Sequence, residues 1–310
     1  MNLLKPKFWT NKRISIIALI LLPVSIIYIF FLFLKKIITS EKNLNIKVIC
    51  VGNIYIGGTG KTPMSLKIYE ILKKMGRRPV IIKKYYKNHI DEINLIKKKI
   101  KHIMTANSRV TAILNAKKNK FDTIILDDGF QDQSIKKDLN ILCFNQKQLI
   151  GNGLTIPAGP LREPLYSIKK SHMILINGKK NKEFEKKIQE YKEKINFFYT
   201  NYIPVNYKKF KNKNLIAFAG IGNPNNFFDL LKQYNINVKE KISFPDHYNF
   251  SRNDLKQLVN KAKKKNCELI TTEKDYFRIK GLSRSNINYL TVKLKIVNEK
   301  DLIKEIKNYL

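Results

Sequence analysis

Two stretches of this chain carry residue types at spacings that could do chemistry on a phosphate. In VGNIYIGGTGKTP (Val51 to Pro63), Gly57, Gly58 and Gly60 stand directly before Lys61 and Thr62. The apolar run Ile46 to Val51 in front of them reads as a buried strand, and an amphipathic helix follows. Strand, GGTGKT, helix is the order of a phosphate-binding loop. The glycines let backbone N–H groups converge on phosphate oxygens, and the helix N-terminus adds its positive dipole end. In such loops the lysine (Lys61) reaches the β- and γ-phosphates and the hydroxyl (Thr62) ligates Mg²⁺. The general pattern has a further glycine where this chain has Tyr55. The second stretch, FDTIILDD (Phe121 to Asp128), is an apolar strand ending in Asp127 and Asp128. Carboxylates at the C-terminal end of a strand beside a phosphate loop are its usual Mg²⁺-side partners.

The elements that must position these residues follow from periodicity. Behind the loop, Met64, Ile68, Ile71, Leu72 and Met75 recur at helical spacing, with Gly76 placed as the C-terminal cap. Pro79 to Ile82, Leu139 to Phe144 and His172 to Ile176 read as further strands. The Gly- and Pro-rich stretch GNGLTIPAGPLREP (Gly151 to Pro164) is a long shaped loop carrying Arg162 and Glu163. Lys83 to Lys101 is strongly basic with interleaved aromatics, and reads as a solvated helix or a surface touching anionic lipid. A junction near 202–214 opens a second α/β unit. It contains strands at Leu215 to Ala219, Val238 to Phe244, Cys267 to Thr271 and Asn288 to Val292, with helices between them and at the end. Its GIGNPN turn lacks the third glycine of a dinucleotide loop, having Asn225 there.

The chain has 310 residues and a formal charge of +36, from 60 Lys and Arg against 24 Asp and Glu. Nucleic acid, anionic lipid or a phosphorylated substrate could each attract such a charge, but lysine is enriched throughout the sequence, so part of the excess is compositional. Cys50, Cys143 and Cys267 lie far apart in apolar runs and form no metal spacing, which suits reduced core thiols. Ile14 to Leu34 is a run of 21 uncharged, mostly apolar residues. As a helix it is about 31 Å long, close to the thickness of a bilayer core. Lys5, Lys7, Lys12 and Arg13 before it and Lys35 and Lys36 after it leave its orientation undecided by charge. An ATP site behind it puts the bulk of the chain on the cytoplasmic side.

Taken together, the pieces resemble the tetraacyldisaccharide 4′-kinase (lipid A 4′-kinase) family. The resemblance rests on VGNIYIGGTGKTP, DDGFQ (Asp127 to Gln131), PAGPLREP (Pro157 to Pro164), AGIGNP (Ala219 to Pro224), Asp246-His247 and TEKD (Thr272 to Asp275), in that order. It implies an ATP- and Mg²⁺-dependent kinase acting on the 4′-hydroxyl of a tetraacyl glucosamine disaccharide 1-phosphate. The implied setting is the bacterial inner membrane with its lipids, as a monomer with no nucleic-acid partner and its catalytic domains on the cytoplasmic side. It further implies that Tyr55, Ile56, Gly57, Gly58, Thr59, Gly60, Lys61 and Thr62 bind the ATP phosphates. Thr62, Asp127, Asp128 and Glu163 would form the metal neighbourhood, and Asp91 and His247 the base for the sugar hydroxyl. Departures are KKYYK (Lys83 to Lys87) for the family's SRGYG, Ile90-Asp91-Glu92-Ile93 for GDEP, and Asp132 for the histidine of DDGFQH.

The expected fold class is α/β. It comprises an N-terminal membrane helix (1–45), a P-loop NTPase-like parallel sheet (46–205) and a smaller α/β domain (206–310) that closes an active-site cleft. The competing expectation is a membrane-associated P-loop ATPase of the partitioning or switch type. Those loops carry a lysine just before the glycine pair, where this chain has Ile56, and Thr272-Glu273-Lys274-Asp275 does not make a guanine motif.

Overall fold

The structure, a computed structural model, describes residues 6–10, 13–86, 90–246, 248–279 and 286–310. Lys5, Lys12, His89 and His247 lie outside these residues, as does the side chain of Asp91. The chain forms two compact units. One comprises the described residues up to Tyr85, then Lys99–Asn201 and Lys295–Leu310; the other comprises Tyr86–Lys98 and Tyr202–Leu294. The grouping differs from a linear division at 205: the C-terminal 295–310 joins the large unit, and 86–98 joins the small one.

The large unit starts with helix α1 (Ile16–Ile38), then β1 (Lys47–Gly52), α2 (Lys61–Lys74) and β2 (Pro79–Lys84). After α3 (Ile90–Lys99) come β3 (Ile103–Ala106), α4 (Arg109–Lys118), β4 (Thr123–Asp127), β5 (Leu139–Asn145), β6 (Met173–Asn177), α5 (Lys182–Gln189) and β7 (Asn196–Pro204). The small unit holds β8 (Leu215–Ala219), α6 (Pro224–Gln233), β9 (Val238–Ser243), α7 (Arg252–Lys264), β10 (Glu268–Thr272), α8 (Glu273–Arg278) and β11 (Ile287–Leu290). Strand β12 (Val292–Ile296) leads back to the large unit and α9 (Glu299–Lys307). Four of these elements, β3, α4, β7 and β12, have too short or too polar a pattern to stand out in the sequence. β7 alternates buried and exposed residues only partly, and asparagine and threonine interrupt its aromatic run.

The large sheet has the order β12-β7-β6-β5-β1-β4-β2-β3, and the run from β7 to β3 is paired parallel throughout. Val48 to Val51 and Ile124 to Leu126 are all buried, as a parallel strand covered on both faces requires. Successive strands leave β1 on opposite sides, to β4 and to β5, so the end of β1 is where a ligand crevice opens in such sheets. The small unit has its own parallel sheet, β11-β10-β8-β9.

The helix behind the glycine-rich turn buries the stripe expected of it: Met64, Ile68, Ile71 and Leu72 are at most 2% exposed. It ends on Gly76 at φ 79°, with Gly76 N–H bonded to Lys73 O and Arg77 N–H to Leu72 O. That double bond is the Schellman closure that a left-handed glycine permits. The basic stretch 83–101 is not one surface helix. Lys83 and Lys84 end β2, with Lys83 only 4% exposed, and the helix begins at Ile90. Strand pairing to β3 and β4 takes those two lysines into the sheet.

Helix α1 continues through Pro23 and is capped by Ser15, whose hydroxyl accepts from Ala18 N–H. It is long and apolar enough to cross a membrane, and only Ala18 and Ser25 on it are buried. One side is nonetheless docked. Ser25 Oγ donates to Thr155 O and accepts from Ala158 N–H, both at 3.0 Å, and Tyr28 OH donates to Arg162 O at 2.8 Å. Trp9, just before the helix, donates its indole N–H to Pro157 O at 3.0 Å. Ile17, Ile20, Ile27 and Phe31 on α1 are each more than half exposed.

A close approach fixes the exit from β1. A Cβ added to Gly52 would sit 2.5 Å from Phe130 Cβ and 3.2 Å from Phe130 N, so the DDGFQ turn lies directly against the backbone there. Gly52→Ala is expected to destabilise the protein by about 1–3 kcal/mol through this overpacking, read as a lowered denaturant midpoint. An unchanged midpoint would show that Phe130 can retreat freely.

Candidate active site

The turn between β1 and α2 has the conformation that its glycines allow. Gly57 sits at φ 106° and Gly60, the residue before α2, at φ 92°. A Cβ on Gly58 would meet nothing within 4 Å, so the turn presents an open face. Buried Asn53 holds the turn from inside. Its amide donates to Tyr55 O, to Gly57 O (3.3 Å) and to Thr59 Oγ1 (3.0 Å), and Gln131 Nε2 donates back to Asn53 O at 2.8 Å. The Tyr55 side chain is buried in the core rather than turned to the open face, and burial pushes its phenol up to about 12. Its backbone bridges Leu161, while Ile56 N–H donates to Pro160 O and Arg162 N–H to Ile54 O. PAGPLREP is therefore laced along the phosphate loop strand-fashion.

Sheet register supplies the next layer. Asp127 lies level with Val51 on one side and with Lys83 on the other. Residues level with each other on neighbouring strands put their side chains on the same face. The Asp127 carboxylate is completely buried and accepts three charged or hydroxyl donors. Oδ2 takes Thr62 Oγ1 at 3.0 Å and Lys83 Nζ at 2.6 Å; Oδ1 takes Ser65 Oγ at 3.0 Å. Thr62 and Ser65 are three apart on α2 and so share one helix face. The first turn of the helix is thus tied to the end of β4.

Asp128 turns away from this row at φ 61°. Its carboxylate lies 3.7 Å from Lys61 Nζ and 3.2 Å from Arg162 Nη1. Burial pushes this carboxyl up, but Lys61, Arg162 and Lys83 outweigh it and hold it down at about 2. Arg109 fixes the turn by donating to Asp128 O at 2.6 Å and to Asp132 Oδ2 at 3.0 Å. Asp132, which replaces the histidine of the resembled motif, thus has a defined partner. Glu163 is 5% exposed, with Lys170 Nζ 3.6 Å away; burial raises its carboxyl despite that ammonium.

The donors suit a hard cation. A hydroxyl and a carboxylate oxygen, Thr62 Oγ1 and Asp127 Oδ2, face each other beside an open phosphate cradle. Mg²⁺ in nucleotide sites takes one or two protein oxygens and fills its octahedron with phosphate oxygens and water. Among the described residues no three His, Cys, Asp or Glu side chains gather into a metal-holding group, so a protein-only cage is not what this arrangement offers.

In the small unit, AGIGNP and TEKD meet each other. Buried Asp275 accepts from Gly220 N–H (3.0 Å) and Thr272 Oγ1 (2.7 Å), and Arg278 pairs with it at 2.9 Å while donating to Gly220 O at 2.8 Å. These motif residues brace a turn and cap α8. Asp91 lies on α3 and Asp246 beside His247 in the small unit, but the Asp91 side chain and His247 fall outside the described residues. Sequence reasoning passed over Lys83, Ser65, Arg109 and Asn53. Ser65 could have been found from its helical spacing to Thr62; the others need the sheet.

Asp127→Ala should cost more than the loss of a metal ligand. It leaves the Lys83 ammonium buried without its carboxylate, which destabilises by about 3–5 kcal/mol. The check is a denaturant curve without nucleotide, where a loss under about 1 kcal/mol would mean that water reaches Lys83 readily.

Known proteins resemble this chain over nearly its whole length. The family described as tetraacyldisaccharide-1-P 4′-kinase matches residues 17–310. The tetraacyldisaccharide 4′-kinase of Pelagibacter ubique (strain HTCC1062) is 42% identical over 99% of this chain and 98% of its own length. That of Rickettsia bellii (strain OSU 85-389) is 37% identical over 98% of each chain. A crystal structure of LpxK from Aquifex aeolicus, an "apo" form in complex with ATP, superimposes with a TM-score of 0.71 at 27% identity. It covers 95% of this chain and 99% of that one. The family match spans residues 17–310 and these relatives are matched over nearly their whole length, so the chain belongs to the tetraacyldisaccharide-1-phosphate 4′-kinase family.

Proposed function

We propose that this chain is an ATP-dependent kinase that phosphorylates the 4′-hydroxyl of a tetraacyl disaccharide 1-phosphate in lipid A biosynthesis. The observation that carries this is the direct bond from Thr62, at the start of α2, to Asp127, at the end of β4. It joins the two halves of a phosphate and metal site in a chain of this family. The partitioning or switch ATPase is not favoured, because the family match spans nearly the whole chain.

The backbone from Tyr55 to Thr62 wraps the triphosphate, with N–H groups of Gly57, Gly58 and Gly60 against its oxygens. Lys61 neutralises the β- and γ-phosphates, and Asp128 holds Lys61 and Arg162 in place beforehand. Thr62 and Asp127 hold Mg²⁺, with Asp128 and Glu163 adding negative charge to the neighbourhood. The ion supplies charge neutralisation on the transferring phosphoryl group. Asp91 and His247 accept the proton of the 4′-hydroxyl; a carboxylate supporting an imidazole is a competent general base near neutral pH. Phosphoryl transfer asks little more of a protein than such positioning and charge.

The exposed apolar side of α1 supports the following setting. Its exposed apolar side lies in the bilayer of the inner membrane, and the body works as a monomer on the cytoplasmic side, where ATP is. An acylated substrate is presented at that surface. The docking of Ser25 and Tyr28 onto the 155–162 loop supports a helix that anchors the body closely rather than by a loose tether.

Transfer of labelled γ-phosphate to the purified disaccharide lipid tests the activity. Wild type with Mg²⁺ is expected to transfer, and Lys61→Ala to fall by at least about 10³-fold, in line with losing a principal transition-state charge contact. No transfer by folded wild type would sink the assignment. Full rate in Asp91→Ala would remove only the base. For the membrane, the chain should float with vesicles. Replacing Ile17, Ile20, Ile27 and Phe31 by lysine should release it, since each lysine costs about 2.5–3.5 kcal/mol in a bilayer core; flotation unchanged by the four lysines would exclude α1 as the anchor.

A further inference from the structure

Lys83 is not explained by the machinery described so far. The resembled motif has a serine at this position, and here a lysine is 4% exposed within the sheet. Register makes its placement unavoidable. β2 runs parallel to β4 with Lys83 level with Asp127, so the two side chains leave the sheet on the same face. The ammonium reaches Asp127 Oδ2 at 2.6 Å, and Thr62 Oγ1 reaches that same oxygen at 3.0 Å. A divalent ion held by Thr62 and Asp127 would therefore have a fixed positive charge touching one of its two protein ligands.

We propose that Lys83 is a further nucleotide-positioning residue whose ammonium competes with a divalent cation for Asp127 Oδ2 and lets the loop hold metal-free triphosphate. The inference rests on the kinase reading given above. Its physical content is an exchange of charge. Without a divalent ion, Lys83 neutralises Asp127, so the polyanionic nucleotide is not repelled by that carboxylate. With the ion present, Lys83 and the ion bear like charge against the same oxygen, so the ion binds more weakly than it would to Asp127 and Thr62 alone. A serine in place of Lys83 removes both effects. A purely structural role for Lys83 would change stability or all nucleotide binding together. The exchange instead changes the ratio of metal-free to metal-loaded binding.

The test uses the full chain in detergent micelles, with ATP titrated calorimetrically in EDTA and in Mg²⁺, and Mn²⁺ binding to the ATP-saturated protein followed by electron paramagnetic resonance. Wild type should bind ATP in EDTA within about tenfold of its affinity in Mg²⁺. In Lys83→Ser, binding in EDTA should weaken at least about tenfold relative to binding in Mg²⁺, while Mn²⁺ binds at least about threefold tighter. Lys83→Arg, which keeps the charge, should stay close to wild type in both ratios. A wild-type gap wider than about tenfold overturns the proposal even if Lys83→Ser fails to fold. Equal shifts of metal-free and metal-loaded binding in a folded Lys83→Ser overturn it too. Folded wild type that binds no ATP even with Mg²⁺ would instead take down the kinase reading, and this inference with it.

Discussion

A fully buried carboxylate, Asp127, is the point on which the placing of α2 and the glycine turn depends. It closes β4, and it accepts from Thr62 and Ser65 on α2 and from Lys83 on β2. Burying an ion without partners is prohibitively costly, so a buried Asp127 requires all three donors to stay where they are. That requirement sets the rotation of α2 about its axis, because Thr62 and Ser65, on one helix face, must meet the two oxygens together. The orientation of α2 in turn fixes where Lys61 and the glycine turn face. The glycine turn is therefore positioned from beneath, by the bonds that tie Asp127 to α2 and β2.

A second set of contacts ties the site to the N-terminal helix. PAGPLREP pairs with the phosphate loop through Ile54, Ile56 and Leu161, and it receives α1 through Ser25 and Tyr28. Arg162 sits at the meeting point. Its N–H is given to Ile54, its carbonyl takes Tyr28, and its guanidinium holds Asp128. The segment that reads as a membrane anchor and the residues that frame the phosphate site thus share one loop. This keeps the apolar helix and the glycine turn in fixed register. The opposite arrangement, a flexible linker, would leave that distance to diffusion.

Two of the departures from the family's sequence pattern have local physical accounts. Asp132 stands where the pattern has histidine, and it pairs with Arg109, which also secures Asp128 O. Lys83 stands where the pattern has serine, and it pairs with Asp127. One change adds a negative group and the other a positive one, so the charge of the neighbourhood is rearranged rather than increased. Tyr55 is not a defect of the loop. Its side chain fills the core while its backbone pairs with Leu161, so a glycine is not needed there.

The sequence by itself determined the glycine-rich turn between strand and helix, the acidic strand end, the apolar N-terminal helix and most strands of both sheets. These are local signals: a glycine run before a lysine, an apolar run ending in carboxylates, a period of 3.6 or of 2. It did not reveal β3, β7 or β12, whose short or polar runs become strands by pairing with neighbours rather than by their own pattern. Nor did it place Lys83. Read along the chain, this residue opens a basic stretch and looks solvated; read across the sheet, it lies level with Asp127, 44 positions away. Only the tertiary structure decides such matters. Register between distant strands sets which side chains share a face, and burial then turns a surface charge into half of an ion pair.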